Sequence, residues 1–252
     1  MRVAVLSDIH GVLPALRAVL HEPDVAGADR IVLTGDIAAG PLPVETLDAL
    51  VELGERALWV RGNAERELVQ LAHGGDTAIP DPIAPWAAAA LRADQVTLLD
   101  GLPSVQRLDL GALGATVFCH ATPRDDEEVA LVDSRMERWI EVLSTLDDQV
   151  ATVVCGHTHM PFARLVDRRL VVNPGSVGMP YGTSGAHWAL LDGDTGGVTL
   201  RRTRFDAEAA FAELRACSGY PEVGRWADEY LRSTHSDVEA VRVFGPRDGR
   251  AA

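Results

Sequence analysis

Within the first 63 residues, three short apolar runs each end on a polar residue beside a turn, and this repetition limits the fold more than any other feature of the chain. Arg2 to Leu6 (RVAVL) stops at Ser7-Asp8, Ile31 to Thr34 (IVLT) stops at Gly35-Asp36, and Leu58 to Val60 stops at Arg61-Gly62-Asn63. Continuous rather than alternating apolar runs belong to strands covered on both faces. Between them, Pro14 to His21 and Val44 to Leu53 carry apolar residues at helical spacing. The result is βαβαβ alternation, which demands a largely parallel sheet with helices outside it.

The middle of the chain reads differently. Glu65 to Leu71 and Pro85 to Leu91 have helical spacing, separated by Gly74-Gly75 and the Pro-rich IPDPIAP, so residues 66–105 are expected to form a helical insertion near the active face. From Gln106 onward strands return: Gln106 to Leu110, Ala115 to Cys119, Val150 to Cys155, Phe162 to Val166, Leu170 to Val172, His187 to Leu191 and Val198 to Phe205. The turns Asp167-Arg168-Arg169 and Asp192-Gly193-Asp194 favour antiparallel pairing in this half. Asp206 to Cys217 and Glu222 to Leu231 read as late amphipathic helices. The fold class is therefore α/β, a β-sandwich of two mixed sheets flanked by helices, as one domain over residues 1–235. Residues 236–252 are expected to be a C-terminal tail that frays.

A chain of 252 residues with 47% hydrophobic content can bury a substantial core. Its N-terminal apolar run is too short for a signal peptide, and no stretch approaches the roughly 20 apolar residues that cross a bilayer. Three cysteines, Cys119, Cys155 and Cys217, form no C-x-x-C pair; Cys119 and Cys155 each end a strand-like run and read as buried small hydrophobes. The expected location is the cytoplasm. A net charge of -14 opposes attraction to nucleic acid or an anionic membrane surface, so neither is an expected partner, whereas self-association is left open. An anionic small substrate remains compatible, because bound divalent cations would reverse the local potential.

The polar residues at the strand ends carry the chemistry. In Asp8-Ile9-His10, residues two apart along extended chain face one point, so the triplet makes a two-ligand clip; alone, Asp8 also suits a helix N-cap. Asp36 follows the second strand, where its two carboxylate oxygens can bridge two cations, although an Asp beside Gly is common in turns. Asn63 offers a neutral carbonyl oxygen after the third strand. His120 follows ATVFC, and Gly156-His157-Thr158-His159 follows ATVVC, repeating the clip. In an open α/β sheet the carboxyl ends of neighbouring strands form the ligand crevice, which is where these side chains would meet.

In this order, D-x-H, G-D, G-N, a lone His and G-H-x-H resemble the calcineurin-like metallophosphoesterase superfamily. The run Asn173-Pro174-Gly175-Ser176-Val177-Gly178 resembles the segment after G-H-T-H in its small bacterial phosphodiesterase branch. The resemblance extends from Met1 to about Leu231 and implies the four-layer α/β/β/α fold of that superfamily. It implies one cation held by Asp8, His10, Asp36 and His159, and a second by Asp36, Asn63, His120 and His157. Asp36 would be shared, and Asp36, Asn63 and His120 are the expected catalytic residues. The implied cofactor is a pair of divalent cations, Mn²⁺ first, with Fe, Zn²⁺ or Ni²⁺ as alternatives. The implied reaction is in-line attack of a metal-bound hydroxide on a small phosphodiester or nucleotide.

Two departures bear on substrate. Many relatives carry G-N-H-D or G-N-H-E, whose His protonates the leaving oxygen, whereas this chain has Gly62-Asn63-Ala64-Glu65. Ala64 transfers no proton, which favours a phosphodiester, an anhydride or an activated leaving group over a monoester with a poor one; Glu65 and Arg66 are candidate substitutes that equally suit a first helical turn. Pro180-Tyr181 stands where relatives often have Pro-Arg. Arg61 and Arg124 are the expected phosphate contacts. His21, His73, His187 and His235 read as surface or packing residues, and Asp125-Asp126-Glu127-Glu128 as a solvated acidic face. The competing function is a binding or scaffold protein on the same fold, similar to the retromer subunit, which would need no full ligand set. A serine/threonine protein phosphatase would be expected to use the missing His, and a nuclease would be expected to show a basic, aromatic-interleaved patch.

Overall fold

A computed structural model describes residues 1–77 and 82–250. In chain order the strands are β1 (Arg2–Leu6), β2 (Arg30–Leu33), β3 (Ala57–Trp59), β4 (Val105–Asp109), β5 (Ala115–Cys119), β6 (Val150–Val154), β7 (Phe162–Val166), β8 (Arg169–Asn173), β9 (Ala186–Asp192) and β10 (Gly197–Thr203). The helices are α1 (Leu13–Leu20), α2 (Pro23–Ala26), α3 (Pro43–Val51), α4 (Asn63–Ala72), α5 (Ile83–Ala90), α6 (Ala93–Asp100), α7 (Met136–Val142), α8 (Ala207–Cys217), α9 (Val223–Ala227) and α10 (Asp237–Phe244).

The strands form two five-stranded sheets, ordered β10-β9-β1-β2-β3 and β4-β5-β6-β8-β7. Side chains alternate across each strand, and the alternation decides the layers. Val3 and Val5 of β1 join Val32, Phe118, Val154 and Val172 in the interior between the sheets. Ala4 and Leu6 point the other way, into a core shared with α1, α3, α4, α5, α8 and α9. On the far side, Val117, Cys119 and Val153 pack against Trp139 of α7. The sequence-based expectation of an α/β/β/α sandwich is what the structure has. Among the described residues no helix is long and apolar enough to cross a membrane.

The hairpins read at Asp167-Arg168-Arg169 and Asp192-Gly193-Asp194 are present, β7–β8 and β9–β10 both pairing antiparallel, while the expectations for the rest of the chain's second half and for the C-terminal segment need correction. β1, β2 and β3 are parallel as predicted, but β9 and β10 return to this first sheet, with β9 antiparallel to β1. In the second sheet β5, β6 and β8 are mutually parallel, and only β4–β5 and β7–β8 pair antiparallel. A hairpin turn fixes only the pairing of its own two strands, so the turns carried no information about which sheet each hairpin joins. Helix α6 falls within the predicted insertion; the stretch Ile79 to Asp81 of the Pro-rich segment lies outside the described residues. The segment expected to fray instead contains α10. Ser236 Oγ accepts from Glu239 N while the Glu239 carboxylate accepts from Ser236 N, a reciprocal capping box, and the helix buries Ala240 and Phe244.

Candidate metal centre

All the expected ligands meet at the carboxyl-end loops of the two sheets, in two groups. Asp8, His10 and His159 form one, and Asp36, His120 and His157 the other, with the donor atoms of each group within 4.8 Å of one another. His159 Nε2 lies 3.2 Å from Asp8 Oδ1 and 3.3 Å from His10 Nε2. Asn63, the first residue of α4, joins the second group through Oδ1, 3.1 Å from His120 Nε2. Asp36 lies between the groups: Oδ1 is 3.3 Å from His120 Nε2 and Oδ2 is 3.8 Å from His10 Nε2.

The convergence is not achieved by the alternation of an extended chain. Asp8, His10, Asp36, His157 and His159 all have left-handed backbone, with φ between 48° and 65°. Each such non-glycine residue costs of order 1–3 kcal/mol and persists only where its surroundings over-determine it. Here the loops after β1 and β2 are laced together by Asp8 N to Gly35 O, His10 N to Asp36 O and Gly11 N to Ile37 O, at 2.8–3.0 Å. From the other side, Ser176 Oγ and Gly178 N both donate to Asp8 O, and Asn173 Nδ2 donates to Gly156 O. The Asn173 to Gly178 run is thus a buttress for two ligand loops. Close approach explains two of the motif glycines: a Cβ on Gly62 would sit 2.4 Å from Asp36 Oδ1, and one on Gly156 would sit 1.9 Å from Ser7 Oγ.

Three imidazoles are oriented by their outer nitrogens. His10 Nδ1 faces Ala39 O at 3.2 Å, His120 Nδ1 faces Thr34 O at 2.8 Å, and His159 Nδ1 faces Met179 O at 2.8 Å. A carbonyl only accepts, so each Nδ1 carries a proton and each Nε2 is turned inward, the arrangement that prepares histidine as a ligand. Asp8 and Asp36 are buried yet held below the ordinary carboxylate range: burial opposes this, and His159 and His120 respectively outweigh it. Against the same burial, Asp36 holds His120 up to about 10. His157 is pushed down to about 3 by burial and by His120, and its buried Nε2 has no hydrogen-bond partner. With no Lys or Arg supplying a ligand atom, the charge offsetting the two carboxylates is the imidazole protons, and divalent cations fit in their place.

Glu65 does not face the ligands as an acid. Its carboxylate accepts from Asp36 N (2.8 Å), Ile37 N (2.7 Å) and Gly62 N (2.9 Å), tying the Asp36 loop to the start of α4, while burial and nearby Asp36 push it up to about 7. Ala64 contributes its backbone N–H to Asp36 Oδ1 at 2.9 Å.

A cavity of about 260 Å³ adjoins His120, lined by Arg61, Arg66, Arg124, Ser104 and Thr122 among others. The acidic run 125–128 is not merely a solvated face. Asp126 and Glu127 clamp Arg66, and Glu128 with Glu141 holds Arg124. Arg61 is different: its buried Nε has no partner, and its guanidinium has none among the described residues. Tyr181, at the Pro-Arg position, has its ring 6.2 Å from that of His159. His187 is buried and bonded to Thr183; Cys119 and Cys155 are buried, and Cys217 is exposed.

The feature missed from the sequence is the C-terminal cover. Phe244 of α10 meets His157 edge-on, ring centroids 5.6 Å apart, and also meets Tyr181 at 6.3 Å. Arg247 donates to Glu127 O, and Asp248 accepts from Ser134 Oγ, fastening the segment. The S-D-V-E capping signature at 236–239 was the available sign. Replacing Phe244 with Leu removes the ring that packs edge-on against His157 and fixes its orientation, and is expected to weaken divalent cation affinity about tenfold. Calorimetric Mn²⁺ titration reads this directly, and unchanged affinity would reduce α10 to a covering role.

Residues 1–196 match the model of the calcineurin-like phosphoesterase superfamily domain. The chain is 26% identical over 211 residues to Phosphodiesterase YfcE of Escherichia coli K12, covering 77% of this chain and 89% of that protein. It is 25% identical over 235 residues to an uncharacterized protein of Methanocaldococcus jannaschii, covering 84% and 91%. Among solved structures it is similar to a metallophosphoesterase from Sphaerobacter thermophilus, at 25% identity and TM-score 0.72, covering 91% of this chain and 98% of that one. A hypothetical protein from Pyrococcus horikoshii OT3 shares the fold at 21% identity and TM-score 0.75, covering 92% and 99%.

Proposed function

The chain belongs to the calcineurin-like phosphoesterase superfamily, in its small bacterial-type branch, and from that premise we propose that it is a dinuclear, manganese-dependent phosphodiesterase acting on small phosphodiesters. The observation that carries this reading is the pair of donor groups joined by one carboxylate, Asp36. A scaffold needs neither group, and here both are present with their orienting hydrogen bonds. The relationship to a phosphodiesterase of E. coli supports the same reaction class.

Bound divalent cations supply Lewis-acid polarisation of the phosphoryl oxygens and an activated water. The chain's own residues do the rest. Asp8, His10 and His159 would hold one cation and His120, His157 and Asn63 the other, with Asp36 presenting one oxygen toward each group. The carbonyl-bound Nδ1 atoms keep the three imidazoles from turning away. Arg61 offers the unpaired guanidinium beside His120 and binds the non-bridging phosphate oxygens.

No proton donor occupies position 64, so the leaving group departs without help from that side. The test compares, on Mn²⁺-loaded protein, a diester and a monoester that share a leaving group, methyl 4-nitrophenyl phosphate and 4-nitrophenyl phosphate. The diester is expected to have the higher kcat/KM. Ala64→His is expected to raise turnover of an alkyl monoester, whose leaving group needs a proton, at least tenfold. A wild-type preference for 4-nitrophenyl phosphate would overturn the diesterase assignment, and ready wild-type turnover of the alkyl monoester would show that another acid is in place.

A further inference from the structure

On the other flank of the centre, beside His10, lies a second cavity of about 350 Å³, within the ~300–1,000 Å³ range of small-molecule pockets. Asp36 reaches His10 with one oxygen and His120 with the other, so this cavity and the Arg61 cavity flank one shared carboxylate. Their linings differ in kind. The second cavity has aromatic walls: Tyr220, Trp226 and Tyr230, with Met179 and Pro82 completing the apolar surface.

These rings are held in place. Trp226 and Tyr220 are buried in the main helical core, Tyr220 is backed by Trp86 at 5.3 Å, and Trp226 meets Tyr230 at 4.9 Å. Helix α9 passes directly into a π-helical turn, Asp228–Arg232, which carries Glu229 and Tyr230 to the cavity. π-helical turns are rare and are frequently found at functional sites. At the rim, Arg225 has no ion-pair or hydrogen-bond partner for its guanidinium among the described residues, and Glu222 and Glu229 are exposed carboxylates.

We propose that this cavity binds a nucleobase borne by the phosphodiester substrate, so that the substrate is a small nucleotide diester. Aromatic walls favour a planar ring without regard to its sequence context, while a guanidinium donor and two carboxylate acceptors around the same opening suit a heterocycle that has both acceptors and N–H donors on its edge. A simple aryl group would use the rings alone and make no contact with these charged groups. The acidic chain, at net charge -14, fits a mononucleotide rather than a nucleic-acid polymer. The assignment rests on the phosphodiesterase reading for the reaction, and on the cavity alone for the base.

The experiment separates the two. Turnover of the 4-nitrophenyl ester of thymidine 5′-monophosphate is compared with that of methyl 4-nitrophenyl phosphate on Mn²⁺-loaded protein. In parallel, adenosine is titrated into metal-free protein and followed by calorimetry. The nucleotide diester is expected to have a kcat/KM at least tenfold higher, and adenosine to bind saturably. Arg225→Ala and Tyr230→Ala are each expected to lower the nucleotide-to-methyl ratio and the adenosine affinity about tenfold. Arg225 is exposed, so its variant tests the cavity even if Tyr230→Ala unfolds. Equal turnover of the two diesters, with no saturable adenosine binding, overturns the nucleobase assignment and leaves the hydrolase intact. Saturable adenosine binding lost in Arg225→Ala, with neither diester hydrolysed, supports the cavity assignment and removes the phosphodiesterase reading.

Discussion

Asp36→Asn is expected to lower phosphodiester turnover about a thousandfold or more while leaving the fold in place. Asn keeps the shape of the side chain and an oxygen for the Ala64 N–H, so the backbone contact survives. What is lost is a negative charge that faces both donor groups, with Oδ1 toward His120 and Oδ2 toward His10. Metal-assisted stabilisation of phosphoryl charge is worth several kcal/mol, and about 4 kcal/mol corresponds to a thousandfold in rate. Methyl 4-nitrophenyl phosphate kinetics with circular dichroism as the fold check reads both halves. Activity within tenfold of wild type would show that the two groups do not act through a shared carboxylate.

Glu65→Ala is expected to cost about 3–5 kcal/mol of stability. Three buried backbone N–H groups, those of Asp36, Ile37 and Gly62, would lose their acceptor, each at about 1–3 kcal/mol. Removing a carboxylate that burial and Asp36 already disfavour offsets part of the sum. Glu65→Gln keeps one acceptor oxygen and is expected to fall between wild type and Ala. Urea unfolding midpoints rank the three proteins. If the Ala variant unfolds within about 1 kcal/mol of wild type, the clamp between the Asp36 loop and α4 does not hold the fold together. Although Glu65 was a candidate for the missing acid, its oxygens are occupied by the backbone.

The sheet and its ligands were legible because each rests on a local signal. A buried run ending in Asp8, Asp36 or Asn63 reports both a strand and the residue at its mouth, and β1, β2 and β3 follow the runs to within a residue or two. What was not legible depends on distant parts of the chain. Nothing in AHWALLD says that β9 lies beside β1 rather than beside β8. The left-handed φ values of five of the candidate ligands could not be read either: Asp and His enter that region more often than most residues, but the strain here is set by the lacing of two loops. The pairing of Arg66 and Arg124 with the acidic run was likewise hidden, and it changes which cation is free to meet a phosphate. The cover of α10 over His157 lies outside the residues matched by the superfamily model, where only the capping signature pointed to a helix.

The central claim is that two divalent cations, organised around Asp36, carry out phosphodiester hydrolysis. It is tested most directly by titrating metal-free protein with Mn²⁺ while following methyl 4-nitrophenyl phosphate turnover and bound metal in the same samples. Turnover that rises with metal and levels off near two equivalents is the predicted result. Full turnover in the metal-free protein, or two tightly bound equivalents with no turnover of any diester, would contradict it.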